Sequence, residues 1–285
     1  MQKLLKIPFY IISLLPWWSI RLLSDVLFLI LFHVIKYRRK VVFKNLKNSF
    51  PSKSILEIKQ IERNHYRYFA DLMTESTKLF SISQKELADH VKILNKEVLL
   101  KYLEANQSII VVLGHYGNWE FAGARFAMEL PTQLKAIYHP LTNPYFDQLF
   151  IDLRSRFGNE LYPMEDTVRK MFKNRNETTL TAFIADQTPS KHHAFWLPFL
   201  NQDTPVYKGT EMLAKKFNHP VVYATVNRVK RNYYEIKFEE LCVNSSTTSD
   251  QEITKLHLAK LERDINNQPE TWLWTHRRWK HKRPV

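Results

Sequence analysis

A histidine and a glutamate stand five positions apart directly after an apolar run, as His115 and Glu120. Histidine is suited to take up a proton near neutral pH, and a carboxylate bonded to its second ring nitrogen raises the basicity of the first. Such a base can deprotonate a hydroxyl group that then attacks a thioester carbonyl. Because Gly117 permits an unusual turn, we predict a general-base pair of His115 and Glu120. On spacing alone, a structural histidine at a strand end is the commoner case.

The apolar run before His115 predicts a buried strand. SIIVVLG at 108–114 is short, continuous and rich in β-branched residues, which is typical of a strand buried on both faces. Similar runs recur at 134–139, 179–186, 219–229 and 233–241. Segments with helical spacing separate or follow most of them, at 144–157, 165–174, 208–217 and 251–267. This alternation predicts an α/β fold with a mixed central β-sheet flanked by helices.

The amino-terminal segment predicts attachment to a membrane. Residues 4–35 are almost wholly apolar. Four residues interrupt the run, namely Lys6, Pro16, Arg21 and Asp25. Two interpretations stay open: a tilted membrane helix over about 14–35, or an amphipathic pair lying among lipid headgroups. A buried helix of a soluble protein is less favoured, and the basic cluster at 36–40 predicts that the following chain is cytoplasmic.

Composition limits the function classes. The 285 residues include 42 Lys and Arg against 28 acidic residues, and this net charge of +14 attracts phosphates, anionic lipids or acidic proteins. The five glycines are too dispersed for a nucleotide-binding loop, and the single cysteine, Cys242, allows neither an intramolecular disulfide nor a zinc cluster. We predict a membrane anchor over 1–40 and one catalytic domain over 41–285, with no metal and no cofactor.

Several blocks resemble one enzyme family. GHYGNWE at 114–120 resembles the His-x4-Asp/Glu motif of glycerolipid acyltransferases, and its Gly-Asn-Trp-Glu form is similar to the late acyltransferases of lipid A biosynthesis, of the lauroyl and myristoyl type. Further blocks follow in the family's order, namely YHPLTNPYFD at 138–147, RSRFGNEL at 154–161, IADQTP at 184–189, FWLPFL at 195–200 and WLWTHRRWKHKRP at 272–284. The resemblance covers most of the chain and implies a glycerolipid acyltransferase-like fold.

The resemblance also implies roles for individual residues. His115 is the expected base and Glu120 its orienting partner, while Arg156 matches a substrate-binding arginine, with Arg154 as the rival position. The other residues expected to bind substrate are Tyr116, Gly117, Asn118, Tyr138, Asp186, Gln187 and Lys208.

Three of these expectations have plainer alternatives. Asp186 could merely accept backbone hydrogen bonds in a turn. Lys208, near where the family usually has a small or hydroxyl residue, could be a solvated charge at a helix start. The FWLPFL block could line an acyl channel or be plain core.

The implied reaction moves a fatty acyl chain from acyl-carrier protein, or from acyl-CoA, to a hydroxyl of a phosphorylated lipid A precursor. The expected partners are this donor, the lipid acceptor and the membrane surface. The expected location is the cell inner membrane, with the catalytic domain on the cytoplasmic side. A lysophospholipid, an aminolipid or a phosphoinositide mannoside is the alternative acceptor.

A basic tail leaves one further class open. Residues 276–283 carry five Lys or Arg residues beside a tryptophan and two histidines, a pattern that also occurs in proteins that bind nucleic acid. A non-catalytic protein that binds membranes or nucleic acid is therefore the rival hypothesis. We expect no nucleic acid, because membrane phosphate explains the same residues more simply.

Overall fold

The computed structural model describes residues 2–190 and 194–284. The helices, in chain order, are α1 Gln2–Leu14, α2 Trp17–Leu29, α3 Arg39–Ser49, α4 Ile55–Thr77, α5 Gln84–His90, α6 Glu97–Glu104, α7 Trp119–Glu129, α8 Pro144–Ser155, α9 Thr167–Lys173, α10 Gly209–Phe217 and α11 Glu252–Asn267. The strands are β1 Val91–Ile93, β2 Ile109–Leu113, β3 Leu134–Tyr138, β4 Glu160–Pro163, β5 Leu180–Ile184, β6 Ala194–Phe199, β7 Gln202–Tyr207, β8 Val221–Lys230 and β9 Tyr233–Cys242.

Seven of these strands form one sheet in the order β1-β9-β8-β2-β5-β3-β4. The β8–β9 pair is antiparallel, and the other neighbouring pairs are parallel. β6 and β7 form a separate antiparallel hairpin. The predicted mixed α/β fold is therefore confirmed. The short strands β1, β4 and β7 were not predicted, because each lacks a long apolar run. β6 was not predicted either, because Pro198 interrupts its apolar run and a proline argues against a strand.

The central strand β2 explains where His115 emerges. All five residues of β2 are buried, and it pairs with β5 on one side and β8 on the other. Ile110 and Val112 point into the core beneath α10 and α11, whereas Ile109 and Val111 point into the core beneath α7. Burying such a side chain contributes about 1.5–3 kcal/mol. The end of β2, and with it His115, is consequently held firmly at the carboxyl end of the central strands.

The amino terminus forms two helices. Helix α1 ends at Leu14, because Pro16 disfavours helical geometry at the residue before it, and Pro16 itself is extended. The stretch Trp17–Val34, which runs through α2 and a π-helical turn, is long and apolar enough to cross a membrane by length and composition, with a mean hydropathy of 1.5, and 28% of it is buried. This stretch lies within the range 14–35 expected for a membrane helix, and α1 precedes it as a separate helix; the choice between a spanning helix and a pair at the headgroups stays a prediction. The boundary at residue 40 stays a prediction.

The α2 helix is also part of the folded body. Ile20 and Phe28 are buried, and the Ser24 hydroxyl donates a hydrogen bond of 2.6 Å to Asp71 of α4. Arg231 of the β8–β9 turn bridges Asp71 and Asp25 of α2. These contacts attach one face of α2 to the catalytic half of the chain.

Candidate active site

A cavity of about 800 Å³ opens at the carboxyl end of the sheet. Its walls come from the turn after β2, from β3, from α8 and from α10. Most of the lining side chains are apolar, and the polar ones include His115, Glu120, Arg154 and Gln187. A volume of this size and an apolar wall with a few polar groups are typical of a site for an organic ligand.

The turn that carries His115 is tightly constrained. Gly117 has φ +61°, and a Cβ added there would lie 1.8 Å from the Val226 carbonyl oxygen. The Gly117 carbonyl accepts a hydrogen bond of 2.5 Å from the Tyr68 hydroxyl. Asn118 is fully buried, accepts from the Phe121 N–H at 3.0 Å and so caps α7. Gly117 and Asn118 therefore shape the turn rather than face substrate, which corrects their expected role.

His115 is paired with Asp186. Its Nδ1 lies 2.6 Å from Asp186 Oδ1, and its backbone N–H donates to Asp186 Oδ2 at 2.8 Å. Since an ionised carboxylate only accepts, Nδ1 carries the proton and Nε2 is the acceptor. Nε2 lies 3.2 Å from the Gln187 amide nitrogen, which is assigned as its donor, and both side chains line the cavity.

The expected hydrogen bond between His115 and Glu120 is thereby corrected. Leu113 of β2 lies directly opposite Ile184 of the parallel strand β5, so the chain two positions further brings Asp186 beside His115. Burial alone would raise the pKa of Asp186. The charge of His115 and the hydrogen bonds that Asp186 accepts from His115 and Trp272 outweigh burial and hold that pKa below its ordinary value.

Glu120 is paired with Arg154 instead. Arg154 Nε and Nη2 donate to the two carboxylate oxygens at 2.9 and 2.6 Å, and the Glu120 side chain is 8% exposed. Burial raises the pKa of Glu120, but Arg154 more than offsets it, so the pKa lies below its ordinary value. The pair is a bidentate ion pair in the cavity wall.

Comparison with known proteins identifies the family. A family model described as bacterial lipid A biosynthesis acyltransferase matches residues 4–281. The chain belongs to this family. The resemblance found in the sequence blocks is therefore confirmed, and the protein is an acyltransferase.

Individual relatives have low sequence identity to this chain, but the alignments cover most of both proteins. A lipid A biosynthesis lauroyltransferase of Escherichia coli (strain K12) is 23% identical over 250 residues, which cover 86% of this chain and 80% of that protein. A palmitoleoyltransferase of the same organism is 22% identical, with 88% and 81% covered. A lipid A biosynthesis acyltransferase of Haemophilus influenzae is 19% identical, with 85% and 76% covered.

The arginine that reaches the cavity of this acyltransferase is Arg154, not Arg156. Arg156 is exposed and donates through Nη1 to the Leu79 carbonyl at 2.7 Å. Two residues apart on a helix point about 200° apart around its axis, so only one of the two arginines can face the cavity. Of the two candidate arginines, Arg154 is thus the one that lines the cavity, and substrate binding by it stays a prediction.

The remaining predicted residues divide into two groups. Tyr138 lines the cavity, as Gln187 does, and substrate contact by these two side chains stays a prediction. Tyr116 points into the core at 2% exposure, and Lys208 lies before α10 with its ammonium 5.1 Å from the Phe195 ring. Neither of the latter two lines the cavity, so their expected roles are corrected.

Two further features were judged incompletely from the sequence. The FWLPFL block forms β6, and its buried side chains Leu197 and Phe199 pack in the core, which favours the plainer alternative. Trp272 was not singled out, although its indole N–H donates to Asp186 Oδ2 at 2.7 Å. No local pattern signals that contact, because 86 positions separate the two residues.

Proposed function

We propose that this acyltransferase moves a fatty acyl chain from acyl-carrier protein to a hydroxyl group of a phosphorylated lipid A precursor, with His115 as general base. One observation carries the proposal. The hydrogen bond from His115 Nδ1 to the buried carboxylate of Asp186 leaves Nε2 as a proton acceptor at the wall of an apolar cavity.

The reaction uses His115 twice. Nε2 takes the proton of the acceptor hydroxyl as its oxygen attacks the thioester carbonyl carbon. The carbon–sulfur bond then breaks, and the imidazolium returns the proton to the departing thiolate, so that an ester and a free thiol result. Asp186 stabilises the imidazolium that forms in between, in the manner of a serine-hydrolase triad. The acceptor hydroxyl replaces the amide of Gln187, which lies 3.2 Å from Nε2.

Glu120 and Arg154 hold a fixed charge in the same wall. The two bonds to Glu120 use Arg154 Nε and Nη2. The donors on Nη1 remain for a substrate oxygen, either a phosphate or the oxyanion that develops at the carbonyl. Glu120 thus acts by orienting Arg154, and its pairing keeps this cation from being buried alone.

The acyl chain fits the apolar part of the cavity. Side chains such as Leu113, Phe126 and Leu134 line it, and each methylene group buried there contributes about 0.8 kcal/mol. The net charge of +14 suits an acidic donor such as acyl-carrier protein, because complementary charge steers the encounter. Acyl-CoA, whose phosphates are also anionic, is the alternative donor.

Exposed apolar residues support placement at the membrane surface. On α1 and α2, Ile11, Leu14, Trp18 and Leu22 are each more than half exposed. The opposite face of α2 packs on α4, which carries exposed charges such as Arg67, so lipid cannot surround α2. The helix pair therefore lies among the headgroups of the cell inner membrane, with the catalytic domain on the cytoplasmic side.

The mouth of the cavity supports the same placement. Four side chains line the cavity and are also exposed, namely Leu141, Met164, Val168 and Met212. An exposed apolar rim of this kind is expected to contact lipid. The acceptor can thus enter from the bilayer without passing through water.

Mass spectrometry of the glycolipid fraction tests the proposal. Cells carrying His115→Ala are compared with cells carrying the wild-type chain, with His281→Ala in the basic tail as the matched control. We expect lipid A from His115→Ala cells to lack one ester-linked acyl chain, and His281→Ala cells to match the wild type. A change confined to phospholipids or aminolipids would move the acceptor to that class, and no change in any lipid would overturn the proposal.

A further inference from the structure

The segment 268–279, called the strap here, lies directly against the turn that carries His115. Gly117 N–H donates to the Thr271 carbonyl and Leu273 N–H donates to the His115 carbonyl, each at 3.1 Å. Between these two bonds, Tyr116 and Trp272 pair as an antiparallel bridge. The backbone of Trp272 is therefore held in register with the residue next to His115.

The indole of Trp272 contacts Asp186, the partner of His115. It is 2% exposed, and its Nε1–H donates to Asp186 Oδ2 at 2.7 Å. Its ring packs edge-on against Trp274, with centroids 4.7 Å apart, and against Phe199 at 5.9 Å. The backbone bridge to Tyr116 and the contact with Phe199 restrict rotation of the indole away from Asp186. The edge contact at position 274 needs only an aromatic ring, which a phenylalanine there retains.

The carboxylate of Asp186 is held by three donors. Oδ2 accepts from the Trp272 indole and from the His115 backbone, and Oδ1 accepts from His115 Nδ1. A rotation of the carboxylate would break all three bonds together. Oδ1 consequently meets the imidazole at one angle, which sets the direction of Nε2 into the cavity.

We infer that Trp272 is a positioning residue for acyl transfer, whose indole N–H orients Asp186 and through it the imidazole of His115. The inference rests on the proposed function of His115. Trp272 does not line the cavity, so it acts through Asp186 and not by touching substrate. Enzymes in which a carboxylate orients a catalytic histidine lose activity steeply when the position of that carboxylate is disturbed.

The neighbouring ionisable groups keep constant charge near neutral pH. Burial lowers the pKa values of His257 and His276 to about 4, so both are neutral. Burial lowers the pKa of Arg278 to about 10 and raises that of Tyr207, so the first stays charged and the second neutral. These four groups therefore do not contribute to a difference in pH profile between the variants, and any contribution from the cavity residue His139 or from a substrate phosphate is common to all of them.

The test compares two tryptophans of the strap. Trp272→Phe removes the bond to Asp186. Trp274→Phe removes an equally buried indole bond, from Nε1 to the Pro269 carbonyl at 2.5 Å. We expect Trp272→Phe to lower kcat about 10- to 100-fold with KM values for donor and acceptor within about twofold, and Trp274→Phe to keep kcat within about twofold.

The pH profile gives a second readout. A carboxylate with one donor fewer attracts the imidazole proton more strongly, so the acid-side loss of activity in Trp272→Phe should move to higher pH. The profile of Trp274→Phe should stay where that of the wild type lies. If Trp272→Phe does not fold, benzothienylalanine at position 272 keeps the ring shape and lacks the N–H, and it should give the same changes.

Three outcomes would overturn the inference: equal losses of kcat in the two variants, an unchanged pH profile in Trp272→Phe, or a loss expressed only in KM. His115→Ala assayed alongside separates this failure from that of the proposed function. If His115→Ala stays active, the general-base proposal fails. If it is inactive while the two tryptophan variants behave alike, only the inference on Trp272 fails.

Discussion

Two nearly buried carboxylates near His115 have partners of opposite kinds. Asp186 bonds to the imidazole of His115 at 2.6 Å, and Glu120 bonds bidentately to the guanidinium of Arg154 at 2.6 and 2.9 Å. Both have pKa values below the ordinary range in spite of burial. The imidazole can gain and lose a proton near neutral pH, whereas the guanidinium stays charged.

The difference between the partners, imidazole and guanidinium, gives the two carboxylates different functions in the same site. A carboxylate beside a titratable group can support proton transfer, and a carboxylate beside a permanent cation can only hold that cation in place. We therefore expect the Asp186 pair to govern the chemical step and the Glu120 pair to govern substrate orientation and local stability. The following predictions test this division, from the largest expected effect to the smallest.

Asp186→Asn should have the largest effect. The amide no longer stabilises the imidazolium and can present a donor to Nδ1, which favours the wrong tautomer of His115. We expect kcat to fall about 10³- to 10⁴-fold, measured by steady-state transfer in detergent. The unfolding midpoint should also fall, because a buried carboxylate with a lowered pKa stabilises the fold at neutral pH, so the rates are measured on protein shown to be folded. A loss of less than about tenfold would contradict the assignment of Asp186.

Glu120→Gln should cost less activity and should also lower stability. Arg154 would remain in the cavity wall with one neutral partner, and we expect the free energy of unfolding to fall by about 2 kcal/mol. Loss of the exact arginine orientation should lower kcat about 10- to 100-fold. Denaturant unfolding and kinetics on the same samples measure both effects. A kcat loss equal to that of Asp186→Asn would reverse the division between the two carboxylates.

Arg154→Lys and Arg156→Lys form a matched pair of substitutions. A lysine keeps the charge but cannot make the two parallel bonds to Glu120. We expect kcat/KM to fall about tenfold in Arg154→Lys and to stay within about twofold in Arg156→Lys, whose arginine is exposed outside the cavity. The opposite ranking would restore the expectation drawn from the sequence.

The pH dependence should separate activity from stability. Because folding lowers the pKa values of Asp186 and Glu120, the unfolded chain binds protons first as the pH falls. Their stabilisation is complete above about pH 4.5 and is lost below it, as the pH passes through the folded pKa values. A general-base mechanism that uses a histidine predicts that activity is lost at a higher pH than stability as the pH falls, because histidines as a class bind protons at higher pH than carboxylates. Unfolding and transfer rates that decline together would argue against the imidazole as base.

Sequence patterns predicted the scaffold well and led to His115 as the candidate base. The run SIIVVLG and the alternation of apolar and helical segments indicated the central strand and the α/β sheet, and the strand and helix bounds agree with the structure within a few residues. The two amino-terminal helices were harder to separate, since only Pro16 marks the break. The blocks from residue 114 to 284 indicated the family, which the match over residues 4–281 confirms.

The partners inside the site were harder to predict. Glu120 was chosen for His115 because it is near in sequence, yet the parallel register of β2 and β5 brings Asp186 closer. Arg156 was chosen over Arg154 by motif position, whereas the direction of the α8 side chains places Arg154 at the cavity. Both differences arise because a motif gives residue types in order, while hydrogen bonds depend on distance and direction in space.

The sequence by itself determined the residue types, the buried strand that ends at His115, the excess of positive charge and the family. Tertiary structure alone decided that Asp186 orients His115, that Arg154 holds Glu120 and that Trp272 reaches across from the strap. The reason is physical: apolar periodicity is a local property of the chain, whereas these pairs join residues 34 to 86 positions apart. They meet only when strands have paired and helices have packed.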